Sequence, residues 1–135
     1  MSNHHFVASL LALLLLCAVG CGDPVGNVSG TLTTADGKPL VGARVVLSSL
    51  DSDDAKQSAR AITDDRGFFD IGRQEKGDGA PPGNYAVAIV ENRGSLDSVK
   101  PRTIAAKYQR PATSELKVEV VNGSRTKLDL TLESP

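Results

Sequence analysis

The stretch VSGTLTTADGKPLVGARVVL, residues 28–47, decides the fold. Apolar and polar residues alternate along its first part, with Val28, Gly30 and Leu32 set against Ser29, Thr31 and Thr33. That period of two belongs to a strand with one face in a core. The segment ADGKP (35–39) follows, placing Asp and Gly where a tight reversal needs a side-chain acceptor or a positive φ. A second alternating run then carries the chain back.

The same grammar extends in both directions. Short alternating runs separated by Gly, Pro and Asp predict strands at 27–34, 42–50, 58–63, 67–72, 84–91, 115–121 and 125–132. No stretch as long as a helix carries an i, i+3, i+4 pattern with caps. DDRG (64–67) predicts a further tight turn, and Asn-Gly within VNGS (121–124) predicts a hairpin between the last two runs. Seven strands at this spacing predict an all-β sandwich. With 135 residues in the whole chain, the part after residue 26 is of ordinary domain size and needs no disulfide or metal staple. A net charge of −1 argues against nucleic acid as a partner, since phosphate binding needs clustered excess Lys and Arg.

The succession VSGTLTTADGKPLVGARVVL (28–47), AITDDRGFFDI (61–71) and PPGNYAVAIV (81–90) resembles the carboxypeptidase regulatory-like domain. The resemblance implies a transthyretin-like (prealbumin-like), seven-stranded Greek-key β-sandwich over residues 27–135. In it TDDRGFF makes a hairpin and PPGNY leads into a long central strand. The segment IAAKYQRPATSELKVEV (104–120) is similar to a signature of small exported lipoproteins of planctomycete-type bacteria, with Ala105 where Pro is expected. In metallocarboxypeptidases the zinc site belongs to a separate domain, so the resemblance implies no catalytic residues here.

Phe6–Val19 is an apolar run too short for the ~20 residues of a membrane span and suited to a signal peptide. Ala18-Val19-Gly20-Cys21 resembles the lipobox of bacterial lipoproteins, although Ala18 stands where Leu is commonest. The resemblance implies a signal peptide over 1–20, lipid on Cys21, and a lipidated tether over 21–26. Cys17 follows the bulky Leu16 and is the poorer candidate. The alternative is an ordinary secretory signal cut nearby, which leaves Cys21 a free thiol. Gly22 in place of Asp leans toward the outer membrane under the enterobacterial sorting rule. The expected location is thus exported, anchored through lipid in the cell envelope, on the outer membrane or facing the periplasm.

Chemistry is sparse in what remains. His4 and His5 lie within the expected signal peptide, leaving no imidazole for acid–base work or metal ligation. Ser114 and Lys117 fit a bare S-x-x-K, but in a strand i and i+3 face opposite ways. The acidic stretches DSDD (51–54) and DDRGFFD (64–70) lack the glycine and distal Glu of a calcium loop and read as a solvated loop and a turn, with Asp64 the turn former. Residues 91–110 hold Arg93, Lys100, Arg102, Lys107 and Arg110 against Glu91 and Asp97, a local net charge of +3. Because the six-residue tether reaches at most ~20 Å, this basic segment is a candidate for contact with lipid head groups or an acidic polymer, the plainer reading being a solvated loop.

The expectation is a non-enzymatic, lipid-anchored envelope protein with a structural or protein-interaction sandwich, no cofactor and no metal. Its partners would be the membrane, through Cys21, and an envelope protein or anionic polymer. The alternative is a module for an envelope polysaccharide or peptide that uses Lys107, Tyr108 and Arg110, with Tyr108 otherwise plugging the end of the sandwich.

Overall fold

In the computed structural model, which describes residues 24–54, 57–73 and 75–135, the alternation that begins at Asn27 becomes strand β1 (Asn27–Thr34). The expected signal peptide 1–20 and Cys21 lie outside the described residues. Val28, Gly30 and Leu32 of β1 face inward, and Ser29, Thr31 and Thr33 are half-buried on the other face. β1 is the middle of one sheet. On one side it pairs antiparallel with β4 (Phe68–Asp70), and on the other it pairs parallel with β9 (Arg125–Lys127) and β10 (Leu130–Leu132). The second sheet is antiparallel, in the order β3 (Ala59–Ile62), β2 (Arg44–Ser49), β5 (Gly83–Val90), β8 (Lys117–Val120).

Between the two sheets lies one apolar core. Val28, Leu32, Phe69 and Leu132 enter it from the first sheet, and Val45, Leu47, Tyr85, Val87, Ile89, Val118 and Val120 from the second. Fully burying each such side chain contributes about 1.5–3 kcal/mol. Tyr85 sits inside at no polar cost because its hydroxyl donates to the Pro81 carbonyl at 2.6 Å. The all-β sandwich expected from the sequence is therefore the fold.

The described residues form ten strands rather than seven. The run expected at 125–132 is broken between β9 and β10. There Leu128 donates its N–H to the Ser29 carbonyl at 2.7 Å, whereas Thr31 donates its own N–H to the Asp129 carboxylate at 3.0 Å. A side chain thus replaces a main-chain acceptor for one rung, and the ladder resumes in the same register. The other two extra strands form a small hairpin, β6 (Gly94–Ser95) and β7 (Ser98–Val99). Asn122-Gly123 does not make the expected hairpin. It is an arch carrying the chain from β8 in one sheet to β9 in the other, with Gly123 at φ 72°. The turn is closed by the Ser124 N–H donating to the Val121 carbonyl at 3.1 Å, and it is tied to the segment leading into β1 by the Gly123 N–H donating to the Val25 carbonyl at 2.9 Å.

Connectivity gives the sandwich two distinct poles. The chain enters beside Ala80, where Gly26 and Ala80 exchange both main-chain hydrogen bonds at 2.9 Å, and beside the 121–124 arch. β1 and β5 both start at this N-terminal pole, since Asn27 donates to the Ser124 carbonyl at 2.9 Å and Gly83 is paired with Val120. Each is eight residues long, so each ends ~26 Å away at the far pole.

Gly30 is the tightest point of the first sheet: a methyl group there would overlap the backbone carbonyl of Leu128. Gly30→Ala is expected to destabilise the domain by about 1–3 kcal/mol, read as a lower urea midpoint. An unchanged midpoint would mean that β9 is not held against β1 in this way.

Candidate functional site

The longest excursion leaves β5 at the far pole and returns as β8. Its first part is pinned by Glu91, whose carboxylate accepts from the Thr103 N–H at 2.9 Å and from the Thr103 hydroxyl. Arg93 closes the β6–β7 hairpin by donating Nε to the Lys100 carbonyl at 2.9 Å. Leu96 at the tip is 98% exposed.

The second part is built into the core. Ile104 is buried and Ala105 donates its N–H to the Glu133 carbonyl at 2.9 Å, tying the segment to the end of β10. A single 3₁₀ turn, Ala106–Gln109, then turns Tyr108 inward, where it is 4% exposed. Its hydroxyl accepts from the Glu133 N–H at 3.0 Å. Tyr108 thereby fills the gap between β5 and β10 above the place where β8 starts.

Lys107 lies over this plug. Its Nζ is 5.3 Å from the centre of the Tyr108 ring, 3.1 Å from Glu133 Oε2 and 3.4 Å from Glu115 Oε2. The hydrogen bonds that the Lys107 ammonium donates to Glu133 and Glu115 hold its pKa above the usual lysine range, against some desolvation. Glu115 takes a left-handed backbone, φ 62°, which costs on the order of 1–3 kcal/mol in a non-glycine residue. Its carboxylate reaches Lys107 from there. Ser114 is buried, accepts from the Leu116 N–H at 3.3 Å, and does not share a face with the exposed Lys117.

Of the three residues marked by the sequence, Tyr108 belongs to the core, Lys107 is paired to two carboxylates, and Arg110 is exposed. The acidic residues serve local structure. Asp64 Oδ1 accepts from the Arg66 and Phe68 N–H groups at 2.9 and 3.0 Å, and these bonds hold its carboxyl below the ordinary value. Asp51 accepts from the Asn84 N–H at 2.8 Å. Among the described residues no group of three or more His, Cys, Asp or Glu gathers as metal ligands.

Sequence reading did not mark a groove of about 540 Å³ between β3 and the segment after β4, lined by Arg44, Arg60, Ile62, Asp70, Arg73 and Lys76 among others. The β2–β3 register brings Arg44 and Arg60 to the same outer face, because Arg44 lies opposite Ile62 and Arg60 opposite Val46. Spacing along the chain cannot disclose that pairing. The groove offers guanidinium donors suited to a carboxylate or phosphate, with Asp70 and Glu75 partly offsetting their charge.

No family model matches the chain, and no curated protein matches it. Two solved structures share its fold. The Bacillus anthracis TIE protein superimposes with a TM-score of 0.52 at 21% identity, over 82% of this chain and 17% of that one. The major pilin subunit of Bacillus cereus gives a TM-score of 0.52 at 18% identity, over 81% of this chain and 30% of that one. The chain thus spans less than a third of either protein, and likeness at this identity concerns the fold alone.

Tyr108→Ala is expected to destabilise the domain by about 3–5 kcal/mol, and Tyr108→Phe by about 1 kcal/mol through the lost acceptor, both read from urea unfolding. Little change in either would move Tyr108 from the core to a surface role. Lys107 adds an alkaline dependence. Its folded pKa is raised, so its stabilisation is complete below ~10.4, the value for an unfolded lysine, and is lost as pH rises through the folded value. Lys107→Met should flatten the alkaline limb of the unfolding-midpoint profile relative to the parent, and superimposable limbs would refute the pairing.

Proposed function

We propose that the chain is a lipid-anchored protein of the cell envelope whose β-sandwich is a non-enzymatic structural or protein-interaction module. One observation carries this reading. The described chain enters the sandwich at one pole, at Gly26, five residues after the lipobox-like Cys21 in sequence, and its most elaborate loop, 91–116, lies at the other. An anchor at one end and an exposed hairpin at the other suit a domain that presents a surface away from its attachment. The shared fold with a segment of a major pilin subunit is compatible with a structural role.

This geometry alters one expectation. A six-residue tether does not by itself bring the basic 91–110 segment to lipid head groups, because that segment begins ~26 Å from the N-terminal pole. The polysaccharide- or peptide-binding alternative is not favoured, since Tyr108 has no exposed ring face and the charge of Lys107 is already engaged. The closer relationship, to lipoproteins with a carboxypeptidase regulatory-like domain from planctomycete-type bacteria, rests on the residues of 28–47, 61–71, 81–90 and 104–120.

The test is the intact mass of protein extracted in detergent from expressing cells, beside a Cys21→Ala variant. The expected parent begins at Cys21, carries a diacylglyceryl group and fractionates with membranes, while the variant does not. An unmodified mass in the soluble fraction would overturn the anchoring.

A further inference from the structure

We infer that β8 is a self-pairing edge through which two copies of this chain join antiparallel, extending the four-stranded sheet across a two-fold axis at Val118. The inference rests on the protein-interaction reading and names its partner.

Hydrogen-bond direction is the first observation. β8 is the last strand of its sheet, with β5 on one side and no strand on the other among the described residues. The Val87 N–H donates to the Leu116 carbonyl at 2.9 Å, and Tyr85 lies opposite Val118 two residues on. Bonded pairs alternate along an antiparallel ladder, so Val118 turns its main-chain groups toward β5. Lys117 and Glu119 therefore turn theirs outward. The β5–β2 ladder agrees, because the Asn84 carbonyl, opposite Glu119, accepts from the Leu50 N–H on the β2 side at 2.8 Å.

Charge is the second. When β8 meets a copy of itself antiparallel with Val118 opposite Val118, Lys117 falls opposite Glu119 of the copy and Glu119 opposite its Lys117. These are the two residues whose N–H and C=O groups point outward, so the register that pairs opposite charges also forms two complete hydrogen-bonded rungs. A shift of one residue would break both matches at once. Opposite-charge pairs on such a ladder stabilise it and like charges directly opposite destabilise it. Both side chains are exposed, on the face opposite the core. Val118 and Val120 continue the apolar inner face across the junction.

The product is isologous, as two-fold pairing requires. Its two-fold axis runs normal to the sheet, so the N-terminal poles of the two copies lie at opposite ends.

The experiment is sedimentation equilibrium of the full chain in detergent over a concentration series, with Lys117→Glu, Glu119→Lys and the double exchange. The expected parent is a reversible dimer. Each single variant, with two like-charge pairs, dissociates roughly tenfold or more easily, and the double exchange returns to the parent value. All four share one anchor, so co-residence in a micelle affects them alike, and circular dichroism checks that each folds. In the unmodified protein, exchange of the Lys117 and Glu119 amide hydrogens should slow as concentration rises. A parent that stays monomeric, single variants that associate as the parent does, no recovery in the double exchange, or exchange independent of concentration would each overturn the pairing. These outcomes are separate from the mass measurement: an unlipidated chain that still dimerises refutes the anchor alone, and a lipidated monomer refutes only the self-pairing.

Discussion

The pairing of the first strand with the last two is the constraint on which the sandwich depends. β1 lies parallel to β9 and β10, so Asn27 meets Arg125 and Thr34 meets Leu132 across nearly the whole length of the domain. Parallel neighbours cannot be joined by a tight turn, so everything from Ala35 to Ser124 is the connection between them. The second sheet, the far-pole excursion and the arch at Asn122-Gly123 all lie within that connection. Gly30 permits the close approach of the Leu128 carbonyl, and Asp129 supplies the rung the backbone gives up. A core assembled from such distant partners folds slowly for its size, because loop closure precedes any gain from contact.

Strand positions were legible wherever one face is buried and the other wet, as along β1 and β2, because burial imposes a period of two on composition. Turn chemistry was legible for the same reason at Asp64–Gly67, where the carboxylate caps two backbone amides. Pairing was not legible. Asn122-Gly123 reads as a hairpin because local sequence specifies a reversal and not the strand that receives the chain afterwards. The break at Leu128–Asp129 depends on Thr31, a residue distant in sequence. The β6–β7 hairpin escapes notice because its four strand residues are exposed and carry no alternation.

The candidate site shows the same division. The sequence singles out Lys107, Tyr108 and Arg110 because charge and an aromatic ring stand together in a loop-like stretch. What decides their roles is the open side of the sandwich. β8 covers only the first half of β5, and the remaining half needs an apolar cover with a satisfied hydroxyl. Tyr108 provides that cover, and the carboxylates of Glu115 and Glu133 hold Lys107 over it. Of the two roles the sequence left open for this aromatic, the structure gives it the one of plugging the end of the sandwich.

Finishing one half of that side in this way leaves the other half as the place where the sheet can continue. Above Lys117 the side is closed by side chains, and below Val120 by the arch and the start of the chain. Between them a short strand turns two residues' worth of hydrogen-bonding groups to water. Natural edges are commonly blunted by brevity and by lysine, and β8 has both features. Its lysine, however, is set two residues from a glutamate about a central valine, a spacing that opposes other strands and matches itself. The same four residues can therefore reject unrelated edges while accepting their own copy, which lets a sandwich associate without aggregating.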